Sequence, residues 1–345
     1  MSVKDEIFEQ PQVLKGKLDS QRDAVNKIAA EIKQRDIKYV FLAARGTSDH
    51  AGLYAKYLFG LNNQLPIALA APSIFSVYQR SLDLSQALVL GISQSGKSPD
   101  IVRVLEEGRK QGSMTLAITN EAESPLGTTS EFLLDIKAGK EKAVAATKTY
   151  TSELLTIAML SAALAGNESQ FETLKQLPKL AEEALEIDAY IERTINRYFY
   201  MDQCVVLGRG FNYATAFEWS LKLKEMTYIV ADPYSSADFR HGPIAVVERG
   251  FPILAVNPSG AVHSDMLSLL QKLKNELHAE LIMISDKAES LNLANTSLKL
   301  PENLPEWISP IISIIPAQLF CYHLAKIKEY DFNQPRGLSK VTETM

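Results

Sequence analysis

The sequence has little that would draw it to a polyanion, a metal ion or a membrane. Its 345 residues carry 36 Lys and Arg against 41 Asp and Glu, a formal charge of −5. There is no basic field for DNA or RNA, so no nucleic-acid partner is expected, although a local site for a small anion is compatible with this balance. Two cysteines occur, Cys204 and Cys321, both in apolar runs (DQCVVLG and QLFCYHL). They read as reduced core residues rather than a disulfide. There is no CxxC or HExxH, and the five histidines show no ligand spacing; no metal and no other cofactor is expected. Neither the Walker pattern nor the dinucleotide GxGxxG appears. The opening MSVKDEIFEQPQ lacks the apolar stretch of a signal peptide. The most apolar long stretch, ISPIISIIPAQLFCYHLAKI, holds two prolines and ends near Lys326 and Lys328. It reads as a buried core helix rather than a membrane span, and a cytoplasmic location is expected.

What is present alternates short apolar runs with amphipathic segments. KYVFLAA (38–44), ALVLGIS (87–93) and MTLAITN (114–120) are strand-like, and helical patterns separate them. Fully apolar strands divided by helices imply a parallel sheet covered on both faces. The second half repeats the first. Arg45-Gly46 in AARGTS matches Arg209-Gly210 in LGRGFN, and Ser95-Gly96 matches Ser259-Gly260. The offsets agree, 210 − 46 = 164 and 260 − 96 = 164, which marks an internal duplication. The expected organisation is an N-terminal helical segment (1–35), two α/β domains (36–165 and 190–330) and a C-terminal tail (331–345).

Ligands of open α/β sheets sit beyond the carboxyl ends of the strands. Two loops of the first half suit that place: ARGTS (44–48) and SQSGKSPD (93–100). Both are expected at helix N-termini, with Ser48 in a capping position, where backbone N–H groups and the helix dipole favour an anion. Thr47, Ser48, Ser93, Ser95 and Ser98 could hydrogen-bond one phosphate, and Gly46 and Gly96 allow close backbone approach. The same sequence also fits two ordinary capped helices. The second-half counterparts, GRGFNY and NPSGAVHSD, are poorer cradles. That half carries Lys222 and Glu225, three apart on one helix, and His241 before Gly242-Pro243. By pattern alone the pair reads either as a solvated ion pair or as a buried one among Leu221, Leu223 and Met226. The histidine reads either as an exposed turn residue or as a catalytic one.

These motifs together resemble the double SIS (sugar isomerase) domain family, in the form found at the isomerase end of glucosamine-6-phosphate synthase. SQSGKSPD is similar to that family's SQSGET-x-D loop, and RGTS to its CGTS. AGKEKAVAATKTYTSEL (138–154) is similar to its AGxE-x-x-VASTKAFT-x-QL. LKLKE, the spaced HGP, IKEYD, NQPRGLSK and the N-terminal EIFEQPQ match in type and order. The resemblance covers nearly the whole chain and is nearest to the SIS-type glucosamine-6-phosphate deaminases. It implies two tandem domains, each a parallel sheet flanked by helices in a three-layer, flavodoxin-like arrangement.

It also implies roles. Gly46, Thr47, Ser48, Ser93, Gln94, Ser95 and Ser98 would hold the sugar phosphate and adjacent hydroxyls, and Val144 would contact substrate through its backbone. Glu225 would move a proton between sugar carbons 2 and 1 with Lys222 beside it. His241 would open the pyranose ring, serving the neighbouring subunit of a homodimer with a shared active site. Lys340 would reach the sugar carbonyl end, with the Ser339 backbone beside it. Four positions depart from the family pattern: Arg45 replaces Cys, Lys97 an acidic residue, Ser98 Thr and Ala146 Ser. The chain passes from MSVKDEI directly into the isomerase-like part, so no ammonia supply from glutamine is expected. The implied reaction converts glucosamine 6-phosphate to fructose 6-phosphate and ammonia. Turnover of another phosphosugar (fructosamine or galactosamine 6-phosphate) and non-catalytic sugar-phosphate sensing are the alternatives.

Overall fold

The computed structural model describes residues 2–332, 335–338 and 340. Ten strands are formed in chain order: β1 (Tyr39–Ala43), β2 (Ile67–Leu69), β3 (Ala87–Ile92), β4 (Met114–Thr119), β5 (Phe132–Asp135), β6 (Gln203–Gly208), β7 (Val230–Ser235), β8 (Pro252–Val256), β9 (Glu280–Ser285) and β10 (Thr296–Lys299). The helices that matter here are α1 (Val3–Phe8), α2 (Gln10–Gln34), α3 (Thr47–Asn63), α4 (Pro99–Lys110), α5 (Lys148–Ala165), α6 (Tyr213–Thr227), α7 (His263–Asn275) and α8 (Ser309–Ile327).

The strands form two sheets of five, ordered β2-β1-β3-β4-β5 and β10-β9-β8-β6-β7. Every pairing is parallel. Counted from its own first strand, each sheet has the same 2-1-3-4-5 order, the flavodoxin-like form of a doubly wound α/β fold. The duplication legible in the sequence is therefore a duplication of topology. Strand starts keep nearly the same offset: 203 − 39 = 164, 252 − 87 = 165 and 280 − 114 = 166. The central strands β3 and β4 are buried at every position, as their unbroken apolar runs require. The edges are different. β2 has three residues, and β7 contains Pro233, which an edge strand tolerates because one side of it makes no ladder bonds.

The chain divides into two compact units that are not consecutive stretches. One holds Gln12–Glu141, Lys148–Gln176 and Lys340; it contains the first sheet and is called the first domain. The other holds α1, Lys142–Thr147 and Leu177–Leu338, contains the second sheet and is called the second domain. In the first, Phe41, Val89, Val104, Leu105 and Leu126 share a buried core. In the second, Val205, Ile253, Leu270 and Leu281 do the same. The other face of the second sheet is closed by α6 and α8, where Trp219 meets Phe320 edge-on at 5.7 Å and Tyr198 lies 5.5 Å from that ring. The stretch Glu306–Ile327, which contains α8, is long and apolar enough to cross a membrane, but 94% of its most apolar part is buried inside the protein. It is a core helix, as its prolines and flanking lysines suggested. Cys204 and Cys321 are both free and buried, and burial pushes both thiols up.

Helix α1 is short but firmly held. Ser2 and Asp5 form a reciprocal capping box. Lys4 Nζ donates to Asp188 Oδ2 at 2.7 Å, and His323 Nε2 lies 2.7 Å from Asp188 Oδ1. Burial of Asp188 would raise its pKa, but hydrogen bonds from Lys4 and His323 outweigh that and hold it below the ordinary value. A depressed carboxyl pKa stabilises the fold above the unfolded value, roughly 4, and the gain disappears as pH falls through the folded value. Asp188→Asn should therefore lower the denaturant midpoint at pH 7, with the gap to the parent chain closing below about pH 4. Denaturation curves across pH check this; a gap independent of pH would contradict it.

Candidate functional site

In the 2-1-3-4-5 order the chain changes direction between β1 and β3, and that switch point is where such sheets hold ligands. In the first domain the loops leaving these strands are RGTS and SQSGKS. Gly46 takes the N-cap position of α3 with φ +53°, and the helix starts at Thr47. Ser48 is therefore inside the first turn and not the cap. Its buried hydroxyl donates to Glu153 Oε1 of α5 at 2.8 Å. In the second loop the Gly96 N–H reaches the Ser93 carbonyl and hydroxyl, both at 3.2 Å. The Lys97 N–H reaches Ser95 Oγ at 3.3 Å. Ser98 caps α4 without spending its hydroxyl on the helix. Gln94 is fixed through its carbonyl, which accepts from the Asn120 N–H at 3.1 Å. Two helix N-termini and this set of hydroxyls are an arrangement whose dipoles and donors favour an anion.

Cations flank it. Arg45 is half exposed and forks onto the buried Asp100, with Nε at 2.8 Å and Nη2 at 2.7 Å from Oδ2. Asp100 thus fixes a guanidinium that the sequence showed only as a departure from the family pattern. Lys97 is exposed on the loop.

Lys340 belongs to the same domain. Its Nζ donates to Glu141 Oε2 at 2.8 Å. Glu141 is buried and also accepts from the Thr149 hydroxyl at 2.8 Å and the Thr149 N–H at 3.2 Å. The stretch leading to Glu141 is tied to the end of β4, since the Asn120 side chain bonds the Ala138 N–H and the Gly139 carbonyl. Asn120 therefore links the Gln94 loop to the segment that receives Lys340. Ser339, expected beside it, lies outside the described residues. The tail nearer the core is packed: Phe332 lies 5.2 Å from the Tyr322 ring, and Arg336 stacks 3.8 Å from Tyr228 and donates its N–H to the Tyr228 hydroxyl.

In the second domain α6 carries a charged column. Lys222 Nζ is 3.3 Å from Glu218 Oε1 and 2.5 Å from Glu225 Oε2. Lys222 and Glu218 are fully buried, while the Glu225 side chain is 20% exposed. The buried form of the pair is the one realised, and Glu225 is its open end. His241 is not part of this column; it is exposed, at the C-cap of the short helix Ser236–Arg240. Val144 is half-buried in the irregular segment Lys142–Thr147, between buried Ala143 and Ala145.

The second-domain counterpart of the SQSGKS loop is filled by the protein itself. Asp286 accepts from the Ser259 N–H at 2.6 Å and the Ser259 hydroxyl at 2.7 Å, and Glu306 accepts from the Ala261 N–H at 2.8 Å. A Cβ on Gly260 would come within 2.2 Å of Glu306. Two carboxylates occupy the donors that an anion would need. Among the described residues, no group of three or more His, Cys, Asp or Glu is placed to hold a metal ion.

A family model, the SIS domain, matches residues 34–163 and 201–328, one match over each sheet. The chain belongs to the SIS domain family. This SIS chain is 35% identical over 345 aligned residues to the glutamine–fructose-6-phosphate aminotransferase (isomerizing) of Thermococcus kodakarensis, covering 97% of this chain and 56% of that protein. It thus spans little more than half the length of the curated relatives it matches. The C-terminal domain of glucosamine-fructose-6-phosphate aminotransferase from Francisella tularensis superposes with a TM-score of 0.88 at 31% identity, covering 96% of this chain and 98% of that one. Glucosamine-6-phosphate deaminase of Thermotoga maritima superposes with a TM-score of 0.79 over 99% of both chains at 22% identity, a likeness of fold.

Sequence reasoning missed the carboxylates that hold the site: Glu153, Glu141, Asp100 and Glu218. Glu218 was detectable, because it stands one turn before Lys222 on the same helix face. Asp100 lay within the quoted loop. Glu141, the acidic residue of the quoted AGKE, and Glu153, in the quoted TSEL, lay within a recognised motif, but no role was attached to them because their partners are brought to them by the fold. One backbone position can be tested directly. Gly96 has φ +61°, and an added Cβ would lie 1.9 Å from Ser124 Oγ. Gly96→Ala should cost about 1–3 kcal/mol of stability and weaken binding of inorganic phosphate, used as the anion probe, at least about tenfold, by calorimetric titration. Unchanged stability and affinity would show that the loop does not depend on this turn.

Proposed function

We propose that this SIS chain is an acid–base phosphosugar enzyme that deaminates glucosamine 6-phosphate to fructose 6-phosphate and ammonia. The observation that carries this reading is the α6 column, in which a buried lysine holds Glu225 as a partly open carboxylate. A binding module has no need of such a group, whereas proton transfer at carbon does. The hydroxyl-rich switch-point loops supply the complementary feature, a cradle for a phosphate.

In the proposed sequence, Thr47, Ser93, Gln94, Ser95 and Ser98 hold the phosphate and neighbouring hydroxyls, and Ser48, whose hydroxyl is committed to Glu153, contributes its backbone N–H in the first turn of α3. The Val144 backbone contacts the sugar. His241 assists ring opening, which exposes an aldehyde at carbon 1; its exposed turn suits service to a partner subunit in a homodimer. Glu225 takes the proton from carbon 2, and the electron pair moves toward carbon 1 to give an enolamine. The proton is returned to carbon 1, leaving an iminium at carbon 2. One water adds there and ammonia departs, leaving the ketone of fructose 6-phosphate. Lys340 neutralises the oxygen at the carbonyl end, and Lys222 keeps Glu225 oriented. Anchoring the non-reacting phosphate makes its binding energy available for positioning the reacting carbons. The curated relatives that share this half are named for a glutamine-consuming aminotransferase; the exact reverse of the proposed reaction is synthesis from fructose 6-phosphate and free ammonia.

The test is ammonia release from a panel of glucosamine, galactosamine and fructosamine 6-phosphates. Release is expected with glucosamine 6-phosphate, and Glu225→Gln should lower kcat by about 10²–10⁴-fold. Full turnover by that variant would end the scheme. Tight phosphosugar binding without any product would favour a sensing role, and release only from another member of the panel would reassign the substrate.

A further inference from the structure

The Lys142–Thr147 segment has no helix or strand to fix it, yet it carries Val144. What fixes it within the second domain is α1. Glu6 is fully buried on this helix. Its Oε1 accepts from the Lys142 N–H at 2.5 Å, and the Ala143 N–H lies 3.4 Å from Oε1 and 3.3 Å from Oε2. Just beyond α1, at the first residue of α2, Gln10 donates to Gln318 Oε1 of α8 at 2.9 Å, and Gln318 donates to the Thr147 carbonyl at 3.4 Å. The segment is thus held at its start by Glu6 and at its end through Gln10 and Gln318.

The buried Glu6 carboxylate and the buried Ala143 N–H each lose heavily without a partner, so the contact is mutually required. The residue after the two gripped amides is Val144. We propose that Glu6 is a positioning residue for substrate: its carboxylate sets the 142–143 backbone so that Val144 presents its main chain to the sugar. This rests on the reading of Val144 as a substrate contact given under the proposed function. The requirement for a carboxylate is specific. It accepts at both oxygens, whereas a glutamine amide would turn a donor toward a second N–H.

The test compares Glu6→Gln with Asp5→Asn, which loosens the cap of the same helix without touching the segment. Two quantities are read: hydrogen exchange at the Lys142 and Ala143 amides, and KM against kcat for glucosamine 6-phosphate. Glu6→Gln should speed exchange at both amides at least about tenfold and raise KM about tenfold with kcat much less affected. Asp5→Asn should leave KM unchanged. Unaltered exchange in Glu6→Gln, an unaltered KM, or an equal KM rise in Asp5→Asn would overturn the proposal. Lack of turnover by the parent chain across the panel would instead count against the proposed function, and the exchange result would still decide whether Glu6 grips the segment.

Discussion

Lys222 is an ammonium with no access to water, and the second domain is arranged around that fact. Desolvating such a charge costs several kcal/mol unless it is closely paired. Glu218, one turn earlier and equally buried, answers it from below; Glu225, three residues later, answers it from the side that remains partly open. The same helix places Trp219, Leu223 and Met226 in the core, so its rotation is fixed by packing and the charged column cannot swing out to solvent. The outcome is one carboxylate with a fixed direction and limited exposure. Without the ammonium, Glu218 and Glu225 would stand as like charges on one helix face.

The duplicated topology gives two versions of one architecture in a single chain. Both sheets have the same strand order and the same switch point, and both place a Ser-Gly loop after their third strand. In the first domain that loop keeps its hydroxyls. In the second, Asp286 and Glu306 occupy the corresponding donors, and the buried charged column of that domain sits on α6. The repeated Arg tells a similar story: Arg45 pairs with Asp100 and Arg209 with Asp265, at offsets of 209 − 45 = 164 and 265 − 100 = 165. An equivalent ion pair stands at the corresponding place in both domains, although the loops themselves differ.

Much of this was legible before the structure. Unbroken apolar runs marked β3 and β4, the constant offset exposed the duplication, and helical spacing placed Lys222 and Glu225 on one face. Local pattern failed where the deciding partner is remote. Ser48 looked like a cap by residue type, but Gly46 supplies the positive φ that starts the helix and Ser48 turns to Glu153. Short edge strands such as Ile67–Leu69 and the Pro-containing Val230–Ser235 have too few or too polar residues to announce themselves. Glu6 in an N-terminal helix gives no local sign of the amides of residues 142 and 143, 136 and 137 positions away.

The central claim is that the reacting proton leaves carbon 2 of the sugar and carbon 1 receives one. Glucosamine 6-phosphate deuterated at carbon 2 reports on it directly by NMR of the product. The account predicts fructose 6-phosphate with carbon 2 as a ketone and the deuterium found at carbon 1 or released to solvent. A product that keeps deuterium at carbon 2, as displacement of the amine without isomerisation would give, contradicts it.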